Sequence, residues 1–334
     1  MTSTPTMAAP VQPPVQGPSV LSRVVQAPLF GSMAAIIVAI IVFSILSPRF
    51  LTLGNFSLIL QQSVVIGILA VAQTLIILTA GIDLSIGAIA VLGTVVLAQA
   101  GGAVGPAMGL LITLLVCVAL GAVNGALVTG LRLPPFIVTL GAFTAIVAGT
   151  RLFAGSQTFA VSDPILTFLG TTFNIGSFTS TYGVVVMLLV YLVIGYALTQ
   201  TAWGKHVYAV GGNPVAAKLS GVKTDRTIFS VYLVAGVIAM IAAWAALGRI
   251  PNADPNAYQN ANLETITAVV IGGTSLFGGR GGVTGTLIGT LIVGVLRNGL
   301  TLAGVDNLYQ NIATGVLVVA AVAVDQFMRR QTSR

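Results

Sequence analysis

Over most of its length the chain is a succession of apolar stretches of about 20 residues, set apart by short polar breaks. A helix of that length crosses the hydrocarbon core of a bilayer, where every backbone N–H and C=O must be satisfied within the segment. This pattern predicts an all-α, polytopic bundle of transmembrane helices. Ten spans are read, near 29–47, 56–79, 84–101, 105–130, 135–153, 182–200, 228–247, 263–279, 284–303 and 308–327. Composition excludes the soluble alternative. Asp, Glu, Lys and Arg make up 6% of the chain, too few to cover a water-facing surface, where about 25% is usual. The 39 glycines suit helices that pack closely.

The ends read differently. Residues 1–28 open with MTSTPTMAAPVQPPVQGPS, which has no hydrophobic period and predicts a disordered cytoplasmic tail. The apolar run that follows is long enough to span and is not followed by a cleavage site, so it reads as an anchor, not a signal peptide. The membrane domain covers 29–327, and 328–334 forms a second short tail. With the N-terminus cytoplasmic, Arg132, the loop 201–227, Arg280 and the C-terminal arginines all fall inside, as basic loops should. Asp163, Asp254, Arg249 and Glu264 fall at the outer face. The net charge of +7 follows from this bias and does not call for nucleic acid. Eleven spans would put the C-terminal arginines outside.

Two segments share the pattern G-x-L-x-x-G-L-x-L, GALVTGLRL at 125–133 and GVLRNGLTL at 294–302. They end the fourth and ninth spans, at opposite faces. An inverted repeat would do this, with spans two to five matching spans seven to ten.

Few residues offer chemistry. In LTAGIDLSIGAIAV, Asp83 sits between long uncharged runs, bracketed by Gly81 and Gly87. A carboxylate at membrane depth must face protein, water or an interface. Asp83 and Ser85 could cap the third span, since an acceptor and a negative charge both suit a helix N-terminus. Alternatively, an interrupted helix here lines a pathway. Gln73 and Asn124 lie within apolar spans, where they could touch a bound molecule or bond neighbouring helices. Six glycines fall between Gly272 and Gly282, with no P-loop lysine; they permit close packing or an irregular turn at depth. Arg297, inside the ninth span, could snorkel, pair with Asp306 or face water. Cys117, the one cysteine, reads as a core residue, and one histidine, His206, makes no metal cluster. No intramembrane nucleophile–base pair is visible, so no enzyme and no cofactor is expected. An ion-coupled carrier would keep more ionisable groups within its spans.

The charge that the chain does have gathers in KHVYAVGGNPVAAKLSGVKTDR, residues 205–226. Asn213 is placed to cap a short helix, with Pro214 at its first position and Gly221 at its end. Ala216, Ala217 and Leu219 would give it a small, smooth face that could enter a partner's groove. Ala217→Asp is therefore expected to disrupt that contact without preventing insertion.

The stretches WGKHVYAVGGNPVAAKLSGV, LTAGIDLSIGA, LPPFIVTLGA and AVVIGGTSLFGGRGGVTGTLIGTLIVGVLRNGL resemble those of the permease subunits of ribose-type bacterial ABC sugar importers. The likeness runs from about residue 30 to 327. It implies a multi-pass inner-membrane subunit, a homodimer or a pair of homologous permeases, that moves a ribose-, xylose-, arabinose- or galactose-like monosaccharide. The implied partners are an ATP-binding subunit, often a fused double ATPase, and a periplasmic sugar-binding protein, besides membrane lipid. By the same resemblance, Gly211, Gly212, Asn213, Pro214, Ala216, Ala217, Lys218 and Leu219 would couple the permease to the ATPase. Gly81, Asp83, Ser85 and Gly87 would shape a turn on the pathway.

Overall fold

The computed structural model describes residues 30–332; the expected tail over 1–28 lies outside the described residues. The helices are α1 (Phe30–Leu46), α2 (Leu53–Leu78), α3 (Ile86–Val104), α4 (Pro106–Gly130), α5 (Pro135–Ala154), α6 (Tyr182–Gln200), α7 (Ala202–Gly212), α8 (Pro214–Leu219), α9 (Thr224–Arg249), α10 (Ala261–Ile271), α11 (Val283–Leu302) and α12 (Asn307–Thr332). Short strands β1 (Phe159–Ala160), β2 (Thr172–Ile175), β3 (Phe178–Thr181) and β4 (Asn252–Ala253) occur only in the connections.

Local rules account for the boundaries. Thr52 caps α2 by accepting from the Asn55 amide. Prolines open α4 and α5, where no intrahelical N–H is needed. Gly155 closes α5 in the left-handed conformation.

The chain is an all-α, polytopic membrane protein, but among the described residues seven helices, not ten, are long and apolar enough to cross a membrane. They are α2, α3, α4, α5, α6, α9 and α11. The segment read as a span at 29–47 forms α1, of 17 residues. The segment read at 263–279 is the larger departure. Its helix, α10, has only 11 residues and stops at Ile271. Beyond it, Gly273, Gly278, Gly279 and Gly281 all adopt positive φ, which ends helical geometry. The third departure is α12, which begins with the polar run 307–311 and continues past the predicted end of the last span to Thr332.

α2 and α9, each of 26 residues, form the centre. α9 packs against α2, α3 and α4, while α2 packs against α9, α10 and α11. α5 lies on α3 and α4, and α12 lies on α10 and α11. The approach of α4 to α9 depends on glycine. A Cβ at Gly121 would run into the Tyr232 carbonyl oxygen, and one at Gly236 into the backbone at Cys117 and Val118. Cys117 is buried in this contact, the core position that its apolar run predicts. Large apolar side chains such as Leu115, Ile137, Leu188 and Leu192 point outward, as lipid-facing residues do.

At one end of the bundle, β1 pairs with β4, β2 and β3 make a hairpin, and Trp244 Nε1 donates to the Ile165 carbonyl at 3.0 Å. The other end carries α7 and α8.

Candidate functional site

α8 forms as the sequence predicts. Asn213 is extended, and its Oδ1 accepts from the amides of Val215 (3.1 Å) and Ala216 (3.0 Å). Gly221, at φ 85°, turns the chain away, and the amides of Gly221 and Val222 close onto the carbonyls of Lys218 and Ala217. The predicted smooth face, however, is divided. Ala217 is 5% exposed and faces its own protein, whereas Val215 and Leu219 are 68% and 85% exposed. Pro214, Ala216 and Lys218 are also exposed. An aspartate at 217 would therefore meet this chain's own packing first. Val215, Ala216 and Leu219 are the side chains free for a partner.

α7 joins α8 to the bundle. Trp203 Nε1 donates to Ser230 Oγ of α9 at 2.8 Å. Gly211 sits directly on the end of α2, where a Cβ would collide with the Leu78 carbonyl oxygen and the Gly279 amide. That same Leu78 carbonyl accepts from the Gly279 N–H at 3.0 Å. Gly278 lies against Ala80 and the Gly211 carbonyl, and Tyr208 Oη donates to the Gly281 carbonyl at 2.8 Å. Three backbones thus touch with no side chain between them: the end of α7, the end of α2 and the loop 272–282. The glycine run is an irregular turn that permits this contact. Gly212, by contrast, has open space around it.

The second place where candidates meet is the start of α3. Asp83 is buried, and its Oδ1 accepts from the Ser85 amide (2.5 Å) and the Ser85 hydroxyl (2.7 Å). Ser85 makes no side-chain cap of its own. Its oxygen instead accepts from Asn124 Nδ2 of α4 at 2.8 Å. Thr139 of α5 holds the segment before it, donating to the Ile82 carbonyl and accepting from the Leu84 amide, both at 3.1 Å. Gly81 packs on Ile76 and Pro135. Asp83, Ser85 and Asn124, three separate sequence candidates, form one network. Gln73 does not join it: it is fully buried in α2, and neither side-chain atom has a partner.

Sequence reading misses Asn262, which stands at the start of α10. It accepts from the Gly87 amide at 2.8 Å and donates to the Leu84 carbonyl. This explains Gly87, where a Cβ would displace the Asn262 side chain. α10 is about 16 Å long, half the hydrocarbon thickness, and its far end leads into the loop docked on α7. Its start therefore lies inside the bundle, where it meets the start of α3. Nothing in the one-dimensional pattern marks a single Asn in a polar stretch. Arg297 takes a partner other than the Asp306 that its position suggests. Its Nη1 donates to both oxygens of Glu264 at 2.7 Å, joining α11 to α10. The placement of both residues near the outer face is the sequence signal for that pair.

Two helix starts meet inside the bundle through Asn262, and both bring their positive dipole ends to that interior region. Beside them lies a cavity of about 300 Å³ between α3, α5 and the segment 255–262. Among the described residues no group of three or more His, Cys, Asp or Glu could hold a metal.

Residues 55–322 match the family described as branched-chain amino acid transport system / permease component. The fructose import permease protein of Rhizobium meliloti is 46% identical over 315 residues, covering 90% of this chain and 88% of its own length. The ribose import permease protein of Escherichia coli (strain K12) is 38% identical over 299 residues, covering 88% and 92%. The D-allose transport system permease protein of the same strain is 36% identical over 312 residues, covering 90% and 92%. No solved structure matches the chain. With a family match over most of its length and relatives above 30% identity, the chain belongs to the branched-chain amino acid transport system permease family, in the company of permeases of sugar import systems.

Proposed function

We propose that this chain is the membrane subunit of an ABC importer that carries a monosaccharide inward across the bacterial inner membrane. ATP hydrolysis on a separate subunit would drive it, and a periplasmic binding protein would deliver the sugar. The relatives import fructose, ribose and allose, which makes a neutral pentose or hexose the cargo class to test first.

The observation that carries this reading is the mounting of α8. A six-residue helix, capped at both ends and presenting Val215, Ala216 and Leu219 outward, rests through α7 on backbone-to-backbone contacts. Such a knob has little reason to exist without a groove to receive it. Force applied at α8 passes through Gly211 to the end of α2 and to the loop 272–282. That loop leads into α10, whose start touches α3 through Asn262. In this reading α10 is a rigid rod between the ATPase and the interior, and the permease acts beside a second copy or homologue of itself.

The topology follows the same logic. On this reading both termini are cytoplasmic, and ten crossings would need α1, α12, and α10 with its glycine loop to be added to the seven long apolar helices. The inverted repeat is supported by packing. Exchanging α2 with α9, α3 with α10, α4 with α11 and α5 with α12 turns each principal contact among these eight helices into another that also exists, while the contact of α1 with α11 has no such counterpart.

Co-purification from the native host tests the proposal. A P-loop ATPase should accompany the tagged chain and be lost with Leu219→Asp, while insertion remains normal. Uptake should stop when ATP is depleted with the ion gradient held. Uptake that instead follows the gradient, with no ATPase bound, would make the chain an independent carrier.

A further inference from the structure

The cavity beside α10 opens to the surface at Arg151 and Gln259, both exposed, and has side chains that the fold itself does not use. Arg151, Gln259 and Asn260 line it, and among the described residues none of their side chains makes a hydrogen bond or ion pair within the chain. Asn262 lies on the same wall, already bonded to α3. Phe143 of α5 and Tyr258 add aromatic surface to the lining. Tyr258 holds a φ of 52°, which a bulky aromatic residue rarely adopts, so the surrounding packing fixes its place in the wall.

Uncommitted polar groups in a bundle this apolar need water or a polar ligand to satisfy them. The chemistry of the set is specific. Carboxamides both donate and accept, as hydroxyl groups do, and a guanidinium supplies several donors in one plane. Among the described residues that line the cavity, the charged side chain is a guanidinium, that of Arg151. The aromatic rings offer apolar surface for the C–H face of a ring. A volume of about 300 Å³ stands at the small end of ligand sites, which run from about 300 to 1,000 Å³.

We infer that this cavity is a station for the cargo within the permease, and that Gln259 and Asn260, with Arg151, hold the hydroxyls of a single neutral sugar ring. The inference rests on the importer reading and deepens it. It also gives α10 a role in release. Gln259 and Asn260 immediately precede that helix, so a shift of α10 driven from α8 moves them relative to α3 and α5 and frees the sugar.

The test uses the complete importer in its host, with binding protein and ATPase present. Uptake of labelled fructose, ribose and galactose is measured for the wild type, Gln259→Leu and Asn260→Leu. The variants should lose tenfold or more in uptake, with a changed order of preference among the sugars. A second readout does not depend on uptake. Gln259→Cys is labelled with a membrane-impermeant maleimide, Cys117 being buried and out of reach. Labelling should slow at least threefold with the transported sugar and remain unchanged with galacturonate. Wild-type rates and preference in both Leu variants would overturn the inference, as would labelling indifferent to every sugar or slowed only by galacturonate. If the Leu variants fail to reach the membrane, the labelling decides. A wild type that takes up none of the sugars would instead remove the importer reading itself.

Discussion

The starts of α3 and α10 meet through Asn262, yet they are finished in different ways. At α3 the polar groups turn inward on one another: Asp83 holds Ser85, Ser85 holds Asn124, and Thr139 ties down both Ile82 and Leu84. At α10 the cap residue, Asn260, makes no side-chain cap bond, Gln259 is exposed, and Asn262 bonds across to α3. A start tied down by two neighbouring helices at once, through Asn124 of α4 and Thr139 of α5, is fixed. One linked to α3 by the single side chain of Asn262 can exchange its bonds. The pair thus resembles an anchor and a moving part, and the moving part is the one whose far end meets α7.

That contrast should break most severely at the junction of α7, α2 and the loop 272–282. Gly211→Ala would place a methyl group into the Leu78 carbonyl and the Gly279 amide, both backbone groups that cannot rotate aside. We expect near-complete loss of uptake, with destabilisation of about 3 kcal/mol or more, in the range of severe overpacking. Gly212→Ala, one residue on, meets nothing within 4 Å and should be close to silent. Equal loss from both would mean that glycine matters here for some reason other than close approach. Uptake together with thermal unfolding of the purified complex separates the two.

Asn262→Leu comes next. It would orphan the Gly87 N–H and the Leu84 carbonyl together, each at a cost of about 1–3 kcal/mol. Ser85→Ala removes the acceptor of one Asn124 N–H and one of the two bonds that Asp83 accepts from Ser85, while the bond from the Ser85 amide remains. It should cost less, about 1–2 kcal/mol. If the anchor-and-rod contrast is right, the two also differ in kind. Asn262→Leu should reduce the sugar moved per ATP hydrolysed, and Ser85→Ala should lower the unfolding midpoint while keeping that ratio. The same ratio for both variants would erase the distinction.

Much of the fold is legible one residue at a time, where the signal is local. The apolar runs announce the helices, and Asn213, Pro214 and Gly221 define α8 through bonds that span no more than five residues. What cannot be read depends on distance in sequence. Asn262 meets Gly87 across 175 residues, and Arg297 meets Glu264 by a pairing that charge and face allow but do not select. The glycine run 272–282 predicts irregularity or close packing without choosing. Only the neighbouring Leu78 and Gly211 show that it does both. Ala217 teaches the same lesson on a smaller scale. A six-residue helix has no period long enough to tell its docked side from its free side.

Gln73 carries the smallest expected effect and the sharpest use of the contrast. Among the described residues, both of its side-chain atoms are buried without a partner towards the C-terminal end of α2, beside Thr74 and close to buried Leu69, Ala70, Ile76 and Ile77. A buried amide left unpaired costs about 1–3 kcal/mol, so an apolar residue of similar length should relieve a cost. If Gln73 belongs to the static part of the molecule, Gln73→Met should raise the unfolding midpoint by a few degrees and leave uptake unchanged. If instead the amide finds its partners only when the bundle rearranges or when cargo passes, the same substitution should still stabilise the resting protein but slow uptake severalfold. Stability and uptake measured on one variant thus say whether α2 only frames the moving rod or takes part in the passage.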